Sequence, residues 1–595
     1  MAPVLTMKGR FALGAAASLL IATGLGLSSC SGKVTSAPIG FVSGGPAIPL
    51  TAAEVQTIIF RALNSIDAAD MHIAVTDRTG GILGIYSTNP AQFEDGDHIA
   101  VSLARTTSFF SNSQAPLSSR TVETLGAFHF PPTFDEPFVP SVATTGGSPS
   151  VASVIAPTRT TTGVAGTPQG PLWQINATNR GAVIADGGQT SFNIGQDAFR
   201  PSRNANDATL PADETAVASP GITLLPGGIP LFKPNAAGVP RLVGGVGVYV
   251  PRTGTQDPDV AAGEFAAIVG AGFGATNTFG DEKFFFDAIP LEGAITIVGV
   301  LLPYVRQTTR PALYAPRAPG VVGGYLPAFP TQVLPGPRTG TPDPFGFLIG
   351  PLDGQLPAPI DDNTGGLTQN NVQRIIDQVV ASADITRAQV RLPLGSSARV
   401  IATIVDTRGR ILAHFRMEDT LCDAVDVVPA KARSVVYYCL PSADPRSAFA
   451  NGDAWPGFPT GDVRGIALTT RTLGFLSQPF YPPGIDSTAP GPLFALAQQN
   501  QLPTQLQRWG NSAPDFPFQN GLTFFPGSVP LYKPDINGVP QLVGALGVSG
   551  DGVEQNDLIA ADGGRGFEPP PELRIDNFEF DGVKLPYLKF PQTPR

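Results

Sequence analysis

Residues 221–248 read GITLLPGGIPLFKPNAAGVPRLVGGVGV, and residues 521–548 read GLTFFPGSVPLYKPDINGVPQLVGALGV. The two stretches lie 300 positions apart and are identical at 16 of 28 positions. That separation is far longer than the repeat of a solenoid and corresponds to a whole domain. The sequence therefore predicts two copies of one domain, which are called here the first copy and the second copy.

The composition fits two globular domains with long irregular connections. The chain has 595 residues, of which 42% are hydrophobic, so it is too long for one core and apolar enough for two. Its 68 glycines and 61 prolines follow no collagen period and indicate extended loops. The net charge of −10 argues against a nucleic-acid partner, because phosphates are bound by clustered Lys and Arg.

Both copies contain the same order of predicted elements. An amphipathic helix, with apolar residues at i, i+3, i+4 and i+7, is predicted over 50–65 and again over 367–382. A hairpin whose turn begins with Asp follows at 72–87 and at 400–416. We therefore expect a signal peptide over 1–29, a flexible tether over 30–49, the first domain with long insertions over 50–302, a Pro/Gly-rich linker over 303–365, the second domain over 366–570 and a C-terminal tail over 571–595.

The N-terminus predicts export. Lys8 and Arg10 precede an apolar stretch over 11–27, which ends in Leu27-Ser28-Ser29-Cys30 and resembles a bacterial lipoprotein signal. The resemblance implies cleavage before Cys30, acylation of its thiol and a lipid-anchored location in the bacterial cell envelope, on the periplasmic side or at the cell surface. An ordinary secretory signal with an incidental cysteine is the alternative. No other apolar run approaches the ~20 residues needed to cross a bilayer.

The two remaining cysteines, Cys422 and Cys439, both lie in the second copy. Export to an oxidising compartment favours a disulfide between them, and two buried thiols are the alternative. The sequence has no C-x-x-C-H motif, which excludes covalently attached c-type haem, and no paired-cysteine zinc motif.

Five short motifs occur in order along the second copy. They are FRMED at 415–419, KAR at 431–433, RT at 471–472, PGSVP at 526–530 and VGALGVSG at 543–550. This order resembles the GlcG/HbpS family of haem-binding or "haem-degrading" domains. The first copy is less similar, because it has STN at 87–89, Leu103 and YV at 249–250 in the corresponding places.

The resemblance implies a fold and a ligand. The fold class is α/β (α+β), with two tandem profilin-like α/β/α layered domains that contain antiparallel sheets and long Pro/Gly-rich loops. Such domains tend to form homo-oligomers. The implied ligand is haem or a related tetrapyrrole, bound non-covalently.

Haem iron takes an axial ligand, normally His, Met, Cys or Tyr. His414 is the first candidate because it lies in the copy that fits the family better, but it precedes Met417 by three residues, which places the two on opposite faces of an extended strand. Arg433 and its first-copy counterpart Arg105 would suit a carboxylate such as a propionate, with a structural salt bridge as the alternative. Lys431 faces a different side of the same helix from Arg433. These five residues form the predicted cofactor site.

The sequence offers no catalytic constellation. It has four histidines and no G-x-S-x-G motif, and the acidic segment FEDGDH at 93–98 lacks EF-hand spacing, so no metal site is predicted. The leading prediction is therefore a lipid-anchored envelope protein with tandem GlcG/HbpS-like domains that binds haem or a related small ligand. One alternative is a non-catalytic envelope scaffold that has lost ligand binding and contacts a protein partner. The other is a haem-modifying enzyme.

Overall fold

The computed structural model describes residues 37–78, 80–88, 93–132, 164–173, 175, 222–252, 258–274, 282–286, 288–318, 366–441, 465–494, 523–580 and 582–595. The predicted signal peptide, the acylation site Cys30 and residues 319–365 of the predicted linker lie outside these residues. Residues Ala37–Arg595 belong to one structural unit. Within the described residues, no helix is long and apolar enough to span a bilayer.

The first copy begins with the predicted amphipathic helix. The Thr51 hydroxyl accepts the Glu54 N–H, and the Glu54 carboxylate accepts the Thr51 N–H, so a capping box starts the helix. Its apolar face, including Val55, Ile58 and Ile59, is buried. The described elements of this copy are α1 (Ala52–Ser65), β1 (His72–Asp77), β2 (Ile82–Ser87), α2 (Phe93–Phe110), α3 (Ser119–Leu125), β3 (Gly228–Pro234), β4 (Pro240–Tyr249), α4 (Val260–Gly270), β5 (Thr296–Ile297) and β6 (Val300–Leu301).

The second copy repeats this order. Its first helix is capped by Thr368, whose hydroxyl accepts the Asn371 N–H. The Asn371 side-chain oxygen accepts the Thr368 N–H, as the Glu54 carboxylate does for Thr51 in the first copy. The described elements are α5 (Gln369–Ile385), β7 (Val400–Asp406), β8 (Ile411–Arg416), α6 (Ala424–Cys439), α7 (Thr470–Leu476), β9 (Ser528–Pro534), β10 (Pro540–Gly550), α8 (Val553–Gly563), β11 (Glu579–Phe580) and β12 (Val583–Lys584).

The two copies have the same four-stranded antiparallel sheet. Its strand order is β2-β1-β4-β3 in the first copy and β8-β7-β10-β9 in the second. In the first copy, Ile73 and Val75 pack with α1 and α4, while Ala74 packs with α2 on the other face. In the second copy, α5 and α8 cover one face and α6 the other. These are the predicted α/β/α layers.

The glycines of the repeated stretch explain why it is kept in both copies. A Cβ atom on Gly247 of β4 would lie 2.1 Å from the Ala100 carbonyl oxygen, and one on Gly547 of β10 would lie 2.5 Å from that of Val428. Both distances are far shorter than a van der Waals contact. Glycine at these positions therefore lets α2 and α6 pack directly on the backbone of the central strands.

The copies share a continuous hydrophobic core. Phe109 and Phe110 at the end of α2 belong to the same buried cluster as Val435 and Val436 of α6. The Phe109 carbonyl also accepts the backbone N–H of Cys422, at 3.0 Å. The two domains are therefore held together as a packed pair.

A buried ionic network crosses the same boundary. The Arg391 guanidinium, with 0% of its side chain exposed, donates to Asp551 at 2.5 Å and to Asp419 at 2.9 Å. The first copy supplies further donors to Asp419, among them the Ser113 hydroxyl at 2.7 Å, the Ser113 backbone N–H at 3.1 Å and the Arg78 guanidinium at 3.1 Å. Each charge removed from water thus has a partner, as buried ions require.

A short hairpin and the sequence Leu-Pro-Tyr follow each copy, at 302–304 and 585–587. Tyr304 and Tyr587 are buried, and their carbonyl oxygens accept hydroxyl groups at the starts of α3 and α7. The described part of the predicted linker, 303–318, thus packs on the first copy, and the C-terminal tail packs on its own domain. In the sequence, this part of the duplication is visible only as the three residues Leu-Pro-Tyr, which are too few to extend the predicted domain bounds.

The described part of the predicted tether, 37–49, is not a flexible connection. Ile39 forms backbone hydrogen bonds with Gly395 and Ser397, at 2.8 and 2.9 Å. The Phe41 ring lies under the Arg399 guanidinium, at 4.4 Å. These contacts fix the segment to the second copy, a long-range pairing that a local Gly/Pro-rich composition conceals.

The alternative of two buried thiols holds for Cys422 and Cys439, and the disulfide prediction is wrong. Cys422 precedes α6 and Cys439 ends it. A helix rises about 1.5 Å per residue, so the helix itself separates the two thiols by roughly 25 Å. A disulfide requires Cα atoms within about 7 Å.

Candidate functional site

His414 lies on β8 inside the second copy. Its Nδ1 is 2.6 Å from the hydroxyl of Thr403, its neighbour on β7, and 1% of the residue is exposed. Burial lowers the pKa of His414 to about 3, and the nearby cations Arg416 and Arg433 act in the same direction. The imidazole is therefore neutral at pH 7, the form that binds metals, but it lies beneath α6 in the core.

Met417 does not join His414. Met417 packs with Phe415 in the cluster on the α5 side of the sheet, whereas His414 lies on the α6 side with Thr403. The prediction that the two side chains occupy opposite faces is confirmed. They cannot both bind one iron in this fold.

Arg433 and Arg105 hold the hairpin turns. Nε of Arg433 donates to the Gly409 carbonyl at 2.8 Å, and Nε of Arg105 donates to the Gly80 carbonyl at 2.9 Å. Burial lowers the pKa of Arg433 to about 10 and that of Arg105 to about 9, while an Asp in each turn opposes the shift. The two positions are equivalent and support the same turn in each copy. These contacts are hydrogen bonds to backbone carbonyls, whereas the alternative was a salt bridge.

Lys431 reaches a different place, the turn at the start of the repeated stretch. Its Nζ donates to the carbonyl oxygens of Pro526 and Val548, at 2.8 and 3.1 Å, and to the Ser549 hydroxyl at 3.1 Å. Burial lowers the pKa of Lys431 to about 7, although Asp423 and Asp557 favour its charged form. This side chain is an ammonium group enclosed by neutral acceptors.

Arg471 and Asp557 lie close to this ammonium group. Nε of Arg471 donates to Asp557 Oδ2 at 2.7 Å, and the backbone N–H of Lys589 donates to the same oxygen at 3.1 Å. Burial raises the pKa of Asp557, against the opposing effect of Arg471 and Lys431. Asp557 Oδ1 and Arg471 Nη2 are buried and have no hydrogen-bond partner among the described residues. Lys431, Arg471 and Asp557 are called here the second-copy centre.

The first copy fills the same position with apolar and fully paired groups. Arg120 and Glu264 stand where the second copy has Arg471 and Asp557. Because Glu is one methylene longer, Glu264 pairs with both Nε and Nη2 of Arg120, at 2.5 and 2.9 Å. Leu103 replaces the lysine.

The surroundings of two equivalent glycines show that Leu103 and Lys431 occupy equivalent places in the two copies. A Cβ atom on Gly227 would lie 3.2 Å from Cδ1 of Leu103, and one on Gly527 would lie 3.3 Å from Nζ of Lys431. The leucine methyl group and the ammonium group therefore occupy the same position in the two copies. The unsatisfied polar atoms of the second-copy centre are specific to the second copy.

Sequence reasoning missed two members of this centre. Arg471 was noted only within the RT motif at 471–472, without a role. Asp557 lies in α8, Val553–Gly563, which contains none of the five motifs. An acidic residue in the closing helix of both copies was the available signal.

The acidic segment FEDGDH also contributes a buried contact between a carboxylate and a histidine. His72 Nδ1 is 2.8 Å from Asp97, and His72 Nε2 is 3.0 Å from Asp70. Both ring nitrogens are thus engaged with carboxylates. Within the described ranges, no group of three or more His, Cys, Asp or Glu side chains is arranged to hold a metal ion.

Two solved structures show slight similarity to the chain. A haem complex of PduOC is 19% identical, with coverage of 33% of this chain and 92% of that chain and a TM-score of 0.19. Protein ORFY of Klebsiella pneumoniae is 19% identical, with coverage of 34% and 90% and a TM-score of 0.20. At these TM-scores, neither structure assigns a property to this chain. No curated protein matches the chain.

The second copy matches the model of a known protein family. Residues 367–564 match the family model described as haem degrading protein HbpS-like. The matched span contains all elements from α5 to α8 and therefore the whole layered domain. The resemblance that the five sequence motifs predicted is confirmed. Residues 367–564 form a domain of the haem-degrading HbpS-like family.

Proposed function

We propose that this chain is a lipid-anchored cell-envelope protein whose second copy binds haem or a related carboxylate-bearing ligand without covalent attachment. The family of residues 367–564 supports the ligand class. The lipoprotein-like sequence that ends at Cys30 supports the anchor. The first copy is proposed to be a second, tandem domain of the same family in which the ligand site is closed.

The residues present fit the carboxylates of such a ligand better than its iron. His414 and Met417 lie on opposite faces of the sheet, and ligation by His414 would require α6 to move away from it. The buried Nη2 of Arg471, by contrast, is a donor with no hydrogen-bond partner among the described residues, close to the ammonium group of Lys431. Haem would bring redox-active iron and a strong absorption band, while these side chains would bind and orient its propionates.

One observation carries the proposal. The copy that matches the family model has Lys431 and Asp557 where the other copy has Leu103 and Glu264. In the second copy, Asp557 Oδ1 and Arg471 Nη2 are buried with no hydrogen-bond partner among the described residues. Each such atom costs about 1–3 kcal/mol, and more when it belongs to a charged group. A folded domain keeps such groups where a ligand or ordered water completes them.

The test is a haem titration of the purified mature protein, followed through the Soret band. The variant Lys431→Leu introduces the first-copy residue, which this fold already accommodates at the equivalent position. Because the three N–H groups of Lys431 already donate to Pro526, Val548 and Ser549, its attraction for a carboxylate would come from its charge. Two unit charges about 4 Å apart attract by about 1–4 kcal/mol between bulk water and a protein surface, so we expect roughly 10-fold weaker binding. Lys533→Leu is the matched control, because Lys533 contacts Gly366 and Asn371 away from the centre. Equal affinity of Lys431→Leu and wild type would refute the assigned site, and no Soret change in the wild type would refute haem as the ligand.

Anchoring is tested separately. Expression of the complete chain in a bacterial host should yield a diacylglyceryl-modified N-terminal Cys30, detectable by mass spectrometry, and protein in the membrane fraction. Cys30→Ser should abolish both. An unmodified N-terminus produced by cleavage at another site would support the ordinary secretory signal.

A further inference from the structure

Four exposed apolar side chains surround the point at which the chain enters the folded unit. The exposed fractions of Ile39, Val42, Ile385 and Leu394 are 50, 83, 47 and 67%. These four residues are called here the entry patch. They are contributed by the segment after Ala37, by the end of α5 and by the loop before β7.

Hydrogen bonds hold most of this patch together. The Ile39 N–H donates to Gly395, the neighbour of Leu394, at 2.8 Å, and the Ile39 carbonyl accepts from Ser397 at 2.9 Å. The Ser397 hydroxyl donates in turn to the carbonyl of Asp384, next to Ile385, at 2.6 Å. The backbone segments that carry Ile39, Leu394 and Ile385 are therefore held next to one another.

The covalent path from this surface to Cys30 is short. Six residues, 31–36, lie between Cys30 and Ala37, so the path between them has seven residue-to-residue steps. An extended chain spans at most about 3.5 Å per residue, so the path cannot exceed ~25 Å. A lipid on Cys30 would thus keep the entry patch within reach of the bilayer surface and raise its effective concentration there.

We propose that the entry patch docks on the lipid bilayer that carries the anchor. This inference rests on the proposed acylation of Cys30. The four side chains enter the interfacial layer, where apolar groups of peripheral proteins are buried. The end of β10 at Gly550 pairs with Val400, close to the loop that carries Leu394, and the β9–β10 tip lies at the opposite end of this strand. Docking would therefore fix the orientation of the molecule with this tip and its fully exposed Ile536 directed into water.

Spin labels can test this orientation on the mature acylated protein in phosphatidylethanolamine/phosphatidylglycerol vesicles. A nitroxide is attached to Leu394→Cys, to Val42→Cys and, as a control outside the patch, to Ile536→Cys. The native thiols Cys422 and Cys439 are 3 and 0% exposed and should not react. Collision rates with oxygen, which partitions into lipid, and with a water-soluble nickel chelate are then compared.

We expect the labels at positions 394 and 42 to collide with the nickel chelate several-fold less often than the label at position 536, and more often with oxygen. Equal nickel accessibility at all three positions in protein that floats with the vesicles would overturn the docking and leave the anchor intact. Protein that does not float would overturn the anchor and the docking with it. Protection at 394 and 42 from both reagents would indicate a protein contact and would also overturn the proposal.

Discussion

Asp419→Asn should weaken the connection between the two copies. Asp419 is the point at which groups from both copies meet, Arg391 from the second copy and Ser113 and Arg78 from the first. Its backbone has a positive φ of 61°, which Asn tolerates as well as Asp does. The exchange therefore removes the negative charge without new backbone strain.

The expected cost follows from this geometry. Asp419 has none of its side chain exposed and faces two guanidinium groups, at 2.9 and 3.1 Å. Removal of one partner of a buried ion pair costs about 3–5 kcal/mol. Asn keeps an oxygen that can accept from Ser113, so we expect the free energy of unfolding to fall by about 3 kcal/mol, at the lower end of that range.

The same residue predicts an acid dependence. Burial acts to raise the pKa of Asp419, but Arg78, Arg391 and the Ser113 hydroxyl outweigh it, and the pKa is lowered. A lowered folded-state pKa gives stability that is present above the unfolded value of about 3.9 and is lost as pH falls through the folded value. The wild type should lose this contribution in acid, and Asp419→Asn should lack it at every pH.

The assay is urea unfolding of the mature chain at pH 7, followed by circular dichroism and tryptophan fluorescence. The neighbouring Glu418→Gln is the control, because its side chain is 30% exposed and lies 3.7 Å from Arg241, a pair expected to contribute less than about 1 kcal/mol. Coincident transitions should also appear by both probes, because the copies share a core. A loss below about 1 kcal/mol for Asp419→Asn, or separate transitions for the two copies, would refute the reasoning.

Three further outcomes are expected. Burial lowers the pKa of Lys431 to about 7, so between pH 7 and about 10.4 the Lys431 amine is protonated in the unfolded chain and neutral in the folded one. The free energy of unfolding should therefore rise with pH across that range, and the urea midpoint of Lys431→Leu should lack this rise. Because burial lowers the pKa of His414 to about 3, stability should fall as pH decreases from about 6.5, and His414→Gln should remove that part of the fall. Cys422 and Cys439 should react with iodoacetamide only after unfolding, because both thiols are buried and burial raises the pKa of Cys439 to about 12. Reduction should leave the mass of the native protein unchanged. Rapid labelling of the native protein would contradict the burial of the two thiols.

The sequence was most informative where local pattern and packing agree. The helical periodicity of 50–65 and 367–382 predicted α1 and α5, since an apolar stripe must be buried. The repeat itself predicted two equal domains, and its glycines mark the positions where α2 and α6 approach the sheet. The spacing of His414 and Met417 also predicted that they would not share a ligand.

The sequence was less informative about segments that are fixed by distant contacts. The tether at 37–49 and the segment at 303–318 have the Pro/Gly-rich composition of linkers, but both are packed. The hydroxyl and backbone groups that bind them come from residues far away in the chain. Composition describes how a segment behaves without partners, so it could not reveal these contacts.

The sequence by itself determined the duplication, the layered fold, the family of the second copy and the difference between Leu103 and Lys431. Only the tertiary structure decided that the copies share a core, that Arg433 supports a turn, and that Arg471 and Asp557 lie beside Lys431. The physical reason is that periodicity and motifs report what each residue needs from its near neighbours. Burial, pKa and the pairing of charges depend on groups that the fold brings together from positions 86 to 306 residues apart.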